Sequence, residues 1–258
     1  VKIVAVVSAK GGVGKTTVSA NLCAALRQCG AAVVALDFDP QNALRLHFGV
    51  PHAEINGLSR STLAAASWIN AMYDTAAGVQ VIPYGSVNEA DRQRFEHHLE
   101  ASPNWLIENL QKIGLTNDHV VVIDTPPGPS VYMQQALRAA SVALVVVLAD
   151  PASYATVPGM EVLLHDYCYQ RPDFLGSAYL LNQVDASKAL NRDIVAAFRA
   201  HIPDRILPTS VHFDQGLTEA LAYGQTVFQY APHSQGAHDI LTNAQWLVQA
   251  ILPTSGRG

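Results

Sequence analysis

The stretch Ala9-Lys10-Gly11-Gly12-Val13-Gly14-Lys15-Thr16-Thr17 combines glycines, lysines and hydroxyls in a spacing that suits the binding of a polyphosphate. Gly11, Gly12 and Gly14 let the backbone curl, so that successive N–H groups, that of Val13 included, converge on one anion. Lys15 can place its ammonium on the β- and γ-phosphates, and the Thr16 hydroxyl can ligate Mg²⁺. Thr17 continues the helix whose positive end faces the same anion. An ordinary phosphate loop does not need a cation at Lys10, which by residue type alone reads as a solvated surface lysine.

Carboxylates recur at the ends of later apolar runs. Ala31 to Leu36 leads into Asp37-Phe38-Asp39-Pro40-Gln41. Asp37 and Asp39 lie at i and i+2 on extended chain and share a face. By itself Asp-Pro is a turn former; beside a phosphate loop the pair reads as nucleotide chemistry. His119 to Ile123 leads into Asp124-Thr125-Pro126-Pro127-Gly128. An aspartate that ends a buried apolar strand is the usual holder of Mg²⁺, so Thr16 and Asp124 are the expected metal residues.

These residues need strands that end on one edge. Lys2 to Ser8 is a β-branched apolar run, and the helix that follows extends to Cys29, where Gly30 stops it. Strands are expected at Ala31–Leu36, Val79–Pro83, His119–Ile123, Ser141–Leu148, Leu175–Leu181 and Asp204–Leu207. Helices are expected at Ala43–Phe48, Ser61–Tyr73, Val131–Ala140, Ser153–Tyr169, Lys188–Ala200, Gln215–Tyr223 and Gln235–Ile251. A charged helical pattern fills Asn88 to Ile113. This alternation predicts a doubly wound, mostly parallel α/β sheet with helices on both faces. It also predicts a single domain over 1–252 and a flexible tail at 253–258.

Composition narrows the partners. The chain of 258 residues is 49% hydrophobic and only 14% charged, with a net charge of −5 and a pI near 6.0, so nothing draws it globally to nucleic acid or anionic lipid. Cys23, Cys29 and Cys168 form no CxxC pair, which points to free buried thiols in a reducing cytoplasm. The adjacent His97 and His98 point away from each other on a helix and make a poor metal pair.

The string KGGVGKTT, the DFDPQ segment and DTPPG resemble, in the same order, the three nucleotide motifs of the ParA/MinD family of deviant Walker A ATPases, with Ala9 where the strict pattern has glycine. The resemblance covers nearly the whole chain. It implies a P-loop fold of the SIMIBI/MinD type, ATP and Mg²⁺ as cofactors, and Mg²⁺-dependent ATP hydrolysis. It assigns Lys10 a reach across a homodimer interface to the partner's nucleotide, and Asp39 the attacking water. Asp37 becomes an outer partner of Mg²⁺ and the phosphate loop, and Gly128 a neighbour of the γ-phosphate. Asn182 meets the adenine edge, although alone it reads as a turn former, and Pro208-Thr209 lie against the base.

The stretches DPQNALRLHFGV and HFDQGLTEALAYGQTVFQYAPHSQGAHDI, with the last helix around Trp246, resemble the BcsQ (YhjQ) group of that family. This implies an ATP-switched assembly, localisation or activation factor for protein partners in a membrane cellulose synthase complex. Such a factor is cytoplasmic, recruited to the inner membrane or a cell pole, and touches the membrane indirectly. The alternative is a ParA-type DNA-partitioning ATPase. From Ile206 to Gly258 the one Lys or Arg is Arg257, so strong DNA binding is not expected. A metabolic ATP-dependent enzyme of the same superfamily, such as a dethiobiotin synthetase relative, is disfavoured by Lys10.

Overall fold

Residues buried on alternate sides of every central strand explain the architecture. The computed structural model describes residues 1–251. The end of the domain at 252 and the tail expected at 253–258 lie outside them. The strands are β1 (Lys2–Val7), β2 (Ala32–Asp37), β3 (Tyr73–Asp74), β4 (Gln80–Ile82), β5 (His119–Asp124), β6 (Val142–Leu148) and β7 (Gly176–Asn182). They form one sheet in the order β3-β4-β2-β5-β1-β6-β7, parallel throughout except for β3 against β4.

The helices are α1 (Lys15–Gln28), α2 (Leu58–Leu63), α3 (Glu89–Ala101), α4 (Trp105–Lys112), α5 (Val131–Ala139), α6 (Pro151–Tyr154), α7 (Val157–Leu164), α8 (Ala189–His201), α9 (Gln215–Ala222), α10 (Val227–Tyr230) and α11 (Gln235–Ile251). Ile3, Ala5 and Val7 of β1, with Val121 and Ile123 of β5, pack in one core with α3, α4, α5, α7 and α8. Val4, Val6, Val120 and Val122 pack in the other with α1, α9, α10 and α11. A sheet buried on both faces needs the near-continuous apolar strands seen here. The doubly wound reading is thus borne out.

Several element boundaries differ from expectation. Ser61–Tyr73 is not one helix: α2 ends at Leu63, and Ala65 has φ 52, so the helix cannot run on. A 3-10 turn follows at Trp68–Ala71, capped by the Ser67 hydroxyl, because Trp68 must turn inward to meet Trp105 with ring centroids 5.0 Å apart. Tyr73–Asp74 then pairs antiparallel with β4. Asn88–Ile113 splits into α3 and α4, separated at Ser102, Pro103 and Asn104. Ser153–Tyr169 starts earlier and breaks into α6, α7 and a π turn at His165–Tyr169, with Pro158 in the first turn of α7. Ala43–Phe48 is a 3-10 turn, Leu44–Phe48, closed by Gly49 at φ 69. Asp204–Leu207 is not a strand: Pro203–Arg205 makes a 3-10 turn, and Ile206 alone bridges to Tyr179.

The chain winds from β1 outward through β2 to β4, and in the opposite direction through β6 to β7. The carboxyl end of β1 therefore lies where the winding reverses, the place at which open α/β sheets bind ligands. Among the described residues no helix is long and apolar enough to cross a membrane.

Candidate nucleotide-binding site

The turn after β1 has the backbone that its glycines permit. Gly12 and Gly14 stand at φ 75 and 80, and Gly14 is the N-cap of α1 with no side-chain cap. The first N–H groups of α1 are therefore not taken by a capping side chain and suit an anion. Lys15 opens the helix and is 7% exposed. Val13 is buried beneath the loop, while Thr16 and Thr17 are partly exposed on the first turn of α1.

Parallel pairing brings the carboxylates to this turn. Val6 of β1 is in register with Asp124 of β5, and Asp124 with Asp37 of β2. Asp124 has no solvent exposure; its Oδ1 accepts from the Ser19 hydroxyl at 2.9 Å, and its buried Oδ2 has no hydrogen-bond partner. Burial pushes its carboxyl up to about 6, against the pull of the Lys15 ammonium and the Thr16 and Ser19 hydroxyls. A buried carboxylate oxygen without a partner, beside a threonine hydroxyl, is a donor set that fits a hard divalent cation such as Mg²⁺.

Asp37 is also fully buried. Its oxygens accept from the Asp39 N–H at 3.1 Å and the Leu44 N–H at 2.9 Å. It thus shapes the Asp39 turn, and among the described residues it makes no hydrogen bond to the phosphate loop. Burial, then the Asp124 charge, raise its carboxyl well above the usual range. Asp39 accepts from the Gln41 N–H at 2.9 Å through Oδ1 and is 8% exposed. Its other oxygen carries no hydrogen bond among the described residues.

Gly128 donates its N–H to the Ser8 carbonyl at 2.9 Å, and the Ser8 hydroxyl bonds the Lys10 carbonyl at 2.8 Å. The DTPPG loop and the phosphate loop are therefore tied at their bases. On the opposite side, Asn182 ends β7 and donates from Nδ2 to the Val13 carbonyl at 2.8 Å. Only an amide N–H can face that carbonyl, so the orientation of this side chain is chemically determined. The next wall is the loop at Pro208-Thr209. Asn243 of α11 clamps it, accepting from the Thr209 N–H at 3.3 Å and donating to the Thr209 carbonyl at 3.0 Å.

Lys10 is not simply solvated. Its ammonium lies 3.5 Å from Asp150 Oδ1, with each side chain about a third exposed. Burial would raise the Asp150 carboxyl, but the Ser153 N–H and hydroxyl and the Lys10 charge outweigh it and hold it low. A pair this exposed contributes roughly 0–1 kcal/mol, so a phosphate can compete for the lysine.

Four residues of the site have structural roles that the motif reading did not assign. Ser19 sits one helical turn beyond Lys15, and that i+4 spacing is the available signal. Thr125 bonds the Val6 carbonyl at 2.8 Å and fixes the end of β5. Asp150 follows β6 as an Asp-Pro cap, and Asn243 lies mid-helix with no sequence mark. His47 is buried with Nδ1 unpartnered. Cys23 and Cys168 are buried free thiols as expected; Cys29 is partly exposed.

Comparison with known proteins gives four consistent likenesses. The family model of the cellulose biosynthesis protein BcsQ matches residues 1–248. The cellulose biosynthesis protein BcsQ of Escherichia coli K12 is 27% identical over 238 residues, covering 92% of this chain and 90% of its own. The chromosome-partitioning ATPase Soj of Thermus thermophilus is 30% identical over 239 residues, covering 92% of each chain. Among solved structures, the septum site-determining protein MinD of Pyrococcus horikoshii complexed with Mg-ADP superposes with a TM-score of 0.75 at 25% identity, covering 96% of each chain.

Proposed function

The chain belongs to the family of the cellulose biosynthesis protein BcsQ, among the MinD/ParA-like ATPases, and on that premise we propose that it is an ATP-dependent dimerisation switch for the assembly, localisation or activation of a bacterial cellulose synthase or secretion complex. The observation that carries the nucleotide half of this reading is the unpartnered Asp124 oxygen beside a helix N-terminus that has no side-chain cap.

The residues divide the work. The backbone from Gly11 to Thr17 and the Lys15 ammonium hold the phosphates of ATP. Thr16 and Asp124 would hold Mg²⁺, which would supply positive charge against the phosphates. Asp39 orients the attacking water with its unbonded oxygen, while Asp37 keeps the Asp39 turn in place through two backbone N–H groups. Lys10 exchanges Asp150 for phosphate oxygens on a second copy of the chain, where a desolvated contact is far stronger than a surface pair. Hydrolysis removes that contact and releases the dimer.

The partners proposed are proteins at the inner membrane or a cell pole, so membrane contact is indirect. The 30% identity to Soj favours a second reading, DNA partitioning. Against it, Ile206 to Ile251 contains no lysine or arginine, and nonspecific DNA binding needs several such cations. The test is capture from the native host. The Asp39→Ala protein loaded with Mg-ATP should retain cellulose synthase subunits and leave random duplex unshifted in a gel. Retention of DNA in an ATP-dependent, salt-sensitive way, without synthase, would establish the partitioning reading instead.

A further inference from the structure

The sheet edge at β7 is covered over only part of its length. The Tyr179 and Leu181 carbonyls accept from the Leu207 and Val211 N–H groups at 3.0 and 2.8 Å, so both residues turn their backbone away from β6. In a parallel strand, residues two apart turn their backbone groups to the same edge. The Ser177 N–H and carbonyl therefore face outward too, and among the described residues neither bonds another segment. A β-carbon on the adjoining Gly176 would meet nothing within 4 Å.

Beside this stretch lies a cavity of about 590 Å³ between the two helix layers. Trp246, Leu247 and Ala250 of α11 line it from one layer, and Trp246 is 37% exposed. Glu161 of α7, Tyr169, Asp204 and Arg205 supply its polar lining. The Glu161 carboxylate is already committed: it accepts from Arg205 Nη1 at 2.7 Å and from the Tyr179 hydroxyl at 2.6 Å. Asp204 is exposed, and its carboxylate has no ion-pair or hydrogen-bond partner among the described residues. Two carboxylates against one guanidinium leave the lining with one net negative charge.

An unpaired edge is a template for a further strand, and the side chains of such a strand alternate between the two layers. Here one layer is apolar and the other polar and acidic. We propose that the amino-terminal part of the β7 edge docks an extended segment of a partner protein in which aliphatic and basic residues alternate. Its backbone pairs with Ser177, its aliphatic side chains pack on Trp246 and Leu247, and a basic side chain meets Asp204. Ser177 lies near the amino end of β7, whereas the phosphate loop follows the carboxyl end of the parallel β1. A docked segment therefore leaves the nucleotide site free.

The probe is the peptide acetyl-Val-Lys-Val-Lys-Val-amide, titrated into the full chain and followed by NMR. Binding should shift the Ser177 amide and Trp246 indole signals and slow hydrogen exchange at the Ser177 N–H. Methylating the backbone nitrogens of the peptide should weaken it by about 2- to 10-fold. Asp204→Asn should narrow the preference for this peptide over its glutamate counterpart by about 2- to 5-fold. Trp246→Ala should weaken both peptides, and both variants should keep wild-type Mg-ATP affinity. The absence of any shift at Ser177, or binding indifferent to Trp246→Ala and to methylation, would overturn the proposal. So would two other occupants. A Ser177 N–H protected in the free chain and released by Arg257→Ala would give the slot to residues 252–258 of this chain. A sedimenting mass that falls with Trp246→Ala would give it to a second copy.

Discussion

Asp37 and Asp124 are register partners at the carboxyl ends of neighbouring parallel strands, and neither has any solvent exposure. Adjacent strands run about 5 Å apart, so the two carboxylates are neighbours in a place where water cannot screen them. Burial raises both carboxyls, and the Asp124 charge raises Asp37 further. Backbone N–H groups satisfy Asp37, whereas Asp124 keeps one bare oxygen. The fold thus carries an electrostatic demand for a cation next to the phosphate loop, beyond what Lys15 supplies.

Replacing Asp124 by Asn should therefore stabilise the protein without ligands by about 1–3 kcal/mol, because a buried, incompletely paired charge is removed. The same variant should lose the Mg²⁺-dependent rise in melting temperature with ATP. Urea unfolding in chelator and thermal melts with Mg-ATP measure the two effects.

Lys15 is the main cation for the phosphates. Lys15→Ala should weaken Mg-ATP binding by about 10- to 150-fold, the range for losing a hydrogen bond to a charged group. Calorimetric titration checks this, and unchanged affinity would move the phosphate site elsewhere.

Asp39 is expected to act on water and hardly on binding. Asp39→Ala should lower the hydrolysis rate by about 100-fold or more while leaving ATP affinity near wild type. Phosphate release at saturating Mg-ATP, beside a binding titration, separates the two parameters.

Much of this was legible in the sequence, because the strands are buried on both faces and read as uninterrupted apolar runs. The three motifs stand at strand ends, and parallel pairing alone brings Asp37 and Asp124 into register. Where tertiary packing competes with local preference, the sequence is less informative. Trp68 breaks a helical pattern to reach Trp105, and the Ile206 stretch has room for one bridge to Tyr179 rather than a ladder. The partners of site residues were the least legible. Lys10 on Asp150 and Asn182 on Val13 join residues far apart in the chain, and their spacing carries no local periodicity.

His47 gives a prediction about pH. Burial lowers its imidazole from 6.5 to about 4, so the folded state prefers the neutral ring. Its contribution is fully present above the unfolded value of 6.5 and is lost as pH falls through the folded value. The loss should approach about 3 kcal/mol by pH 4. His47→Leu should remove this share of acid sensitivity, seen as a narrower gap between urea midpoints at neutral pH and near pH 4.

The central claim is the nucleotide-gated dimer, and sedimentation of the Asp39→Ala protein tests it most directly. With Mg-ATP it should sediment at twice the monomer mass, and with Mg-ADP or no nucleotide as a monomer; adding Lys10→Ala should return the Mg-ATP sample to monomer while ATP remains bound. A mass that ignores nucleotide, or a dimer indifferent to Lys10, would contradict the account.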